Sequence, residues 1–228
     1  PHIITSAFEH ESVLEPIKHL ERNGAIEATY LKPSKDGFID LKEVERSLKE
    51  NTVLVSIIYV NNEIGSVQPI KEIGKMLQKS KRNQLLLFHT DAVQAIQFYE
   101  PRLDYLKVDA MTISAHKIYG PKGTGALIAK KHVALSPLLR GGGQEFEKRS
   151  GTPNLPAIIG LGKAIELLQG QGTRELESAR LQELKTRLKN GILSEVKNAK
   201  MIADGKNSAP HILSVIFPGI ESQVMLIA

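Results

Sequence analysis

Four runs of apolar, largely β-branched residues constrain this chain most. They occupy residues 3–6, 53–59, 85–88 and 108–113, and each gives way abruptly to polar, chemistry-bearing side chains. Runs of this length without polar alternation suit strands buried on both faces, as in a parallel sheet covered by helices. Helical stretches lie between them: residues 11–23, closed by Gly24, and the stretch opened by Pro69 that runs to about Ser80. A further strand is predicted over 26–31, and a turn at Lys35-Asp36-Gly37. Asp40 with Glu43 three residues on predicts a capping box opening a helix over 41–49. A last strand is expected at 125–129, after a glycine-rich turn. Alternating strands and helices define an α/β fold with a mainly parallel sheet sandwiched by helices.

After about residue 155 the texture changes. An apolar helix is expected over 158–168, closed by Gly170 and Gly172, then a long amphipathic helix over 173–193 with Leu181, Leu184, Leu188 and Ile192 on one stripe. Short strands follow near 201–203 and 212–217, then a further helix. The Gly-x-Gly at 170–172 divides a large domain, residues 1–170, from the start of a small C-terminal α+β domain, residues 171–228. Both ends read as cut, because Pro1 leads straight into a strand and the apolar run 224–228 stops without a cap. The chain is therefore expected to be an internal segment.

Composition removes several function classes. With no cysteine, the 228 residues contain no disulfide, no thiolate metal site and no cysteine nucleophile. A formal charge of +5 raises nucleic-acid binding. Yet the charges alternate in sign along 174–189, as on a solvated helix face, and aromatics are only 5% with no Trp to stack bases. No direct nucleic-acid contact is expected. No run of about 18 apolar residues occurs, so no membrane-spanning segment is expected either.

Ligands of parallel sheets gather at the carboxyl ends of the strands. There the sequence supplies Ser6, Glu9 and His10; Asn61, Asn62 and Glu63; His89, Asp91 and Gln94; and Ser114, His116 and Lys117. Lys117 is the informative residue. It precedes Tyr119-Gly120-Pro121-Lys122-Gly123-Thr124-Gly125, which is neither a Walker P-loop nor a dinucleotide fingerprint. A partly desolvated lysine attacks carbonyls to form a Schiff base. Pyridoxal phosphate chemistry needs that lysine, a carboxylate for the pyridinium nitrogen, and phosphate donors. A metal site at His89 and Asp91 competes, but no third ligand accompanies them. His89 reads better as a hydrogen-bonded strand-end histidine, and no metal site is expected.

The runs TSAFEHESV, YVNNEIGSVQPI, FHTDAVQA, SAHKIYGPKGTGAL and GGGQEFEKRSGTPN resemble, in order and spacing, the cysteine desulfurases. These enzymes belong to the class V aminotransferase group of fold-type I pyridoxal-phosphate enzymes. The resemblance covers the whole chain and corresponds to the middle of the family's length. It implies that Lys117 binds pyridoxal phosphate as a Schiff base and that Asp91 pairs with the pyridinium nitrogen. It implies that His10 stacks on the ring and transfers protons, and that Gln94 reaches the phenolic oxygen. Asn61 falls near that oxygen and the substrate carboxylate, Ser114 and His116 match phosphate ligands, and Thr152 matches a phosphate contact to a neighbouring subunit. The expected activity is removal of sulfur from L-cysteine, giving L-alanine and an enzyme persulfide. The expected protein is a cytoplasmic homodimer serving sulfur-acceptor proteins of iron–sulfur assembly or tRNA thiolation. In the family, the phosphate loop lies before the position of Pro1, and the nucleophilic cysteine and substrate-binding arginine lie after that of Ala228. The flanking motifs resemble the branch with a long mobile cysteine loop. Another class V activity (aminotransferase, selenocysteine lyase or kynureninase-like hydrolase) remains open, as does a noncatalytic interaction fold.

Overall fold

The computed structural model describes residues 1–80, 86–170 and 172–227. Its frame is a six-stranded sheet built from β1 (His2–Ser6), β2 (Glu27–Leu31), β3 (Thr52–Ser56), β4 (Leu87–Asp91), β5 (Ala110–Ser114) and β6 (Gly125–Ala129). The strand order is β2-β1-β3-β4-β5-β6; the first five run parallel and β6 returns antiparallel to β5. Helices flank it: α1 (Glu11–Arg22), α2 (Leu41–Ser47), α3 (Ile70–Ser80), α4 (Leu103–Leu106) and α5 (Leu155–Leu168). One apolar cluster, including Ile4, Val55, Ile57, Phe88, Met111 and Ile113 with Val44, Ile73 and Leu161 from the helices, unites sheet and helices. Covering both sheet faces suits the apolar middles of these strands, and most of the polar residues among them are buried with the rest.

Beyond α5 the chain enters α6 (Thr173–Glu195), then a separate antiparallel pair, β7 (Lys200–Ile202) and β8 (Ser214–Ile216), and α7 (Ser222–Ile227). Gln171, between α5 and α6, lies outside the described residues. No described helix is long and apolar enough to cross a membrane.

Four local expectations are corrected. The strand predicted over 85–88 is Leu87–Asp91, Leu85 lying outside the described residues. Pairing with β3 on one side and β5 on the other carries regular structure through His89, Thr90 and Asp91, so these polar residues sit within the strand. The capping box is only half formed. Asp40 accepts from Lys42 N at 2.9 Å, while Glu43 turns away to Arg46 at 2.7 Å. Helix α5 begins three residues earlier than expected, capped by Asn154, which accepts from Ala157 N. In α6, Leu184 and Leu188 are exposed, whereas Lys185 is buried; its inward face follows Leu181, Lys185 and Ile192 instead of the expected leucine stripe.

Candidate active site

The strand order reverses direction between β1 and β3: the chain leaves β1 for β2 and crosses back to β3. The loops after β1 and β3 therefore diverge and leave a crevice at their carboxyl ends. Two buried side chains bolt these loops together. Asn61 Nδ2 donates to Phe8 O at 2.8 Å, and its Oδ1 accepts from Glu63 N and Ile64 N, both at 2.9 Å. Glu9 Oε1 accepts from Ser6 Oγ and, at 2.8 Å, from Ile58 N. Glu9 Oε2 is buried without a partner among the described residues. Burial pushes the Glu9 carboxyl up to about 8, and the neighbouring Asp91 charge adds to the rise. Glu9 is thus protonated at neutral pH.

Asp91 ends β4 and is nearly buried. Its Oδ1 accepts from Val93 N at 2.9 Å, and Oδ2 takes no hydrogen bond among the described residues. Burial raises its pKa, while the Val93 N–H and the nearby His10 favour the anion. A neutral Glu9 beside it avoids a second buried negative charge. His10 caps α1: its Nδ1 accepts from Ser12 N at 3.2 Å, so in the neutral ring the proton resides on Nε2. The His10 side chain is exposed.

On the neighbouring strand, β5 runs into a 3-10 turn, Ala115–Ile118, that carries His116 and Lys117. The turn ends at Tyr119, held in the left-handed region at φ 65°, with Gly120 N donating to Ala115 O at 2.9 Å. Ser114 Oγ and His116 Nδ1 pair at 2.8 Å. Helix α5 reaches this turn through Gly160, where a Cβ would lie only 2.5 Å from Pro121 Cγ. Lys117 is exposed, as a lysine just past a buried strand commonly is, so the chain by itself does not desolvate its amine. The reason is geometric: β5 ends at Ser114, and the turn lifts the lysine clear of the buried rim.

Gln94, half-buried, meets His211 from the C-terminal part, with Oε1 3.2 Å from the ring Nε2. The positive charge of Lys117 also acts on the His211 ring. Thr152 lies exposed on the loop before α5, with no hydrogen bond to the other candidate residues. His89 is hydrogen-bonded as expected, although within β4 and not at its end: Nδ1 pairs with Ser56 Oγ at 2.8 Å, and burial pushes its pKa down to about 4. Among the described residues no three His, Cys, Asp or Glu side chains gather to hold a metal. The rim therefore brings together His10, Asn61 and Asp91 with Glu9, and separately Ser114, His116 and Lys117. The sequence places Glu9 at the rim without giving it a role, and no local pattern marks His211.

This fold and rim define a member of the class V aminotransferases: the family described as Aminotransferase class-V matches residues 1–227, and the chain belongs to it. Within that class it is similar to the cysteine desulfurase IscS of Pectobacterium carotovorum, 43% identical over all of this chain and 55% of that protein. A mitosomal cysteine desulfurase of Trachipleistophora hominis is 44% identical over all of this chain and 51% of its own length. The chain thus spans about half the length of these curated relatives. A solved NifS-like protein superposes with a TM-score of 0.91, at 37% identity, over 98% of this chain and 60% of that one.

Proposed function

We propose that this chain is the cofactor-binding core of a pyridoxal-phosphate-dependent cysteine desulfurase acting on L-cysteine. The observation that carries the reading is Asp91: a buried carboxylate at a strand's carboxyl end, with one oxygen held by Val93 N–H and the other unengaged. That arrangement suits a pyridinium N–H. A primary amine on the next strand's turn, with a hydroxyl and an imidazole beside it, completes a donor set that fits the cofactor. The similarity to cysteine desulfurases along the entire chain supports the substrate class.

Pyridoxal phosphate, when bound, supplies an electron sink for charge developing at the substrate Cα. The protein's residues supply the rest. Asp91 keeps the ring nitrogen protonated through an opposite charge, and neutral Glu9 leaves that charge on Asp91 undiluted. Lys117 Nζ would hold the cofactor covalently and, once displaced by the substrate's amino group, would be free to move the Cα proton. His10 offers the proton on Nε2, its Nδ1 being engaged by Ser12 N. Ser114 and His116 take the phosphate. Asn61, with one Nδ2 hydrogen beyond its bond to Phe8 O, orients the phenolic oxygen and substrate carboxylate. Gln94 donates to the same oxygen, and Thr152, exposed before α5, serves the phosphate of a second copy in a homodimer. Residues 1–170 form the large cofactor domain and 171–228 part of a small one. The protein works in the cytoplasm and passes sulfur to acceptor proteins of iron–sulfur assembly or tRNA thiolation.

The test is product analysis with the intact protein that carries this chain. L-Cysteine should yield L-alanine and, with a thiol reductant, equimolar sulfide. Transamination to a keto acid without sulfide would assign a different class V activity.

A further inference from the structure

One residue of the C-terminal part reaches into the rim. His211 Nε2 lies 3.2 Å from Gln94 Oε1, across 117 positions of sequence, and its ring stacks on Phe98 with centroids 4.6 Å apart and planes at 22°. The segment that carries it is clipped to the loop after β3. Val67 N donates to Asn207 O at 2.9 Å, and Ala209 N donates to Gly65 O at 2.8 Å. Lys185, buried on α6, donates to Ala209 O at 2.8 Å and also to Ser208 Oγ. His211 is therefore held from three sides.

The ring is also neutral. Burial, with the positive charges of Lys185 and Lys117, pushes its pKa down to about 4. A neutral imidazole has one N–H. Nδ1 faces no acceptor among the described residues, so the N–H belongs on Nε2, where it meets the Gln94 carbonyl oxygen. Nδ1 then keeps only a lone pair, and it is buried with no partner among the described residues. The consequence falls on Gln94. With its oxygen committed to His211, its amide can offer the rim only N–H donors.

We propose that His211 is a positioning residue that fixes the polarity of Gln94, so that Gln94 presents its NH2 group, and never its carbonyl, to an anionic oxygen of the bound cofactor. This rests on the pyridoxal-phosphate reading and on the role of Gln94 within it. A free glutamine amide can turn over and place a carbonyl against that anion; this one cannot without either losing its bond to His211 or moving the ring proton to Nδ1, which is buried without an acceptor among the described residues. The C-terminal part thereby acts on cofactor electronics without touching the cofactor.

Two measurements test it. In the apoprotein, ring-nitrogen NMR should show His211 as the neutral Nε2–H tautomer throughout the neutral range; the Nδ1–H tautomer would overturn the assignment. In the intact protein loaded with pyridoxal phosphate, the visible absorbance titrates with pH. His211→Phe keeps the stack on Phe98 but removes the donor, and it should raise the titration midpoint by about one pH unit, as expected when a donor to a phenolate is lost. His211→Gln, which retains an N–H, should return most of that shift. An unchanged midpoint in His211→Phe, with the cofactor still bound, would refute the positioning role alone. A wild-type protein with no visible band would instead overturn the cofactor reading and this assignment with it.

Discussion

Glu9→Gln isolates one buried proton. Below pH 4.5 the Glu9 carboxyl is protonated in both the folded and unfolded chain and titration costs nothing. Between the ordinary value of 4.5 and the folded value of about 8, the unfolded chain releases its proton while the folded one retains it. Stability is therefore lost as pH rises, by about 1.4 kcal/mol per pH unit across that window. The accumulated penalty is about 3 kcal/mol at pH 7 and approaches 5 kcal/mol above pH 8. Glutamine keeps the oxygen that accepts from Ser6 Oγ and Ile58 N, and it places an NH2 group where Oε2 is already unpartnered. The variant should match the wild type to within about 1 kcal/mol at pH 5, because both then bury one unpaired polar group. By pH 8 it should be the more stable by about 3–4 kcal/mol. Urea unfolding of both proteins at half-unit steps of pH gives the difference directly, and titrations common to both proteins largely cancel. Parallel stability curves from pH 5 to 8 would refute the buried, protonated state of Glu9.

Asp91→Asn should leave the fold and much cofactor binding intact while slowing Cα–H exchange of bound amino acid about 100-fold or more, since an amide does not hold the ring nitrogen protonated; near-normal exchange by proton NMR would remove Asp91 from the site. Gly160→Val places atoms against Pro121, where even a Cβ would come within 2.5 Å of Cγ. It should cost about 1–3 kcal/mol in urea unfolding and displace the lysine-bearing turn, lowering cofactor affinity. Residues 1–228 expressed alone, having no cysteine, should form no persulfide and release no sulfide from L-cysteine; sulfide from that chain, free of any host enzyme, would contradict the need for a thiolate.

The sheet was legible because its central strands are uniform in chemistry. Residues 53–59 and 108–113 carry their burial in their side chains, and β3 and β5 fall within or beside them. The end of β4 was not legible, because His89, Thr90 and Asp91 are polar and only pairing on both sides keeps them in the strand. The face of α6 was misread for a related reason. Lys185 points inward because Ser208 and Ala209 offer it oxygen acceptors, a circumstance more than 20 residues away. At the site, local pattern brings Asp91, Ser114 and Lys117 to the carboxyl edge of the sheet, where Asp91 and Ser114 close β4 and β5 and Lys117 lies on the turn beyond. The burial of Glu9 does not follow from local pattern: a charged residue on a loop reads as exposed, and here Ile58 and Ser6 enclose it. His211 depends on contacts across 117 positions, which no window of sequence contains.

Lys117 is the point on which the proposed chemistry turns, and covalent trapping tests it most directly. The intact protein, loaded with pyridoxal phosphate and reduced with borohydride, is digested and its pyridoxyl peptide mapped. The label should fall on Lys117, in Ser114-Ala115-His116-Lys117-Ile118-Tyr119, and Lys117→Ala should lose both the label and the visible chromophore. A label on Lys107 or Lys122, or a chromophore that survives Lys117→Ala, would contradict the account.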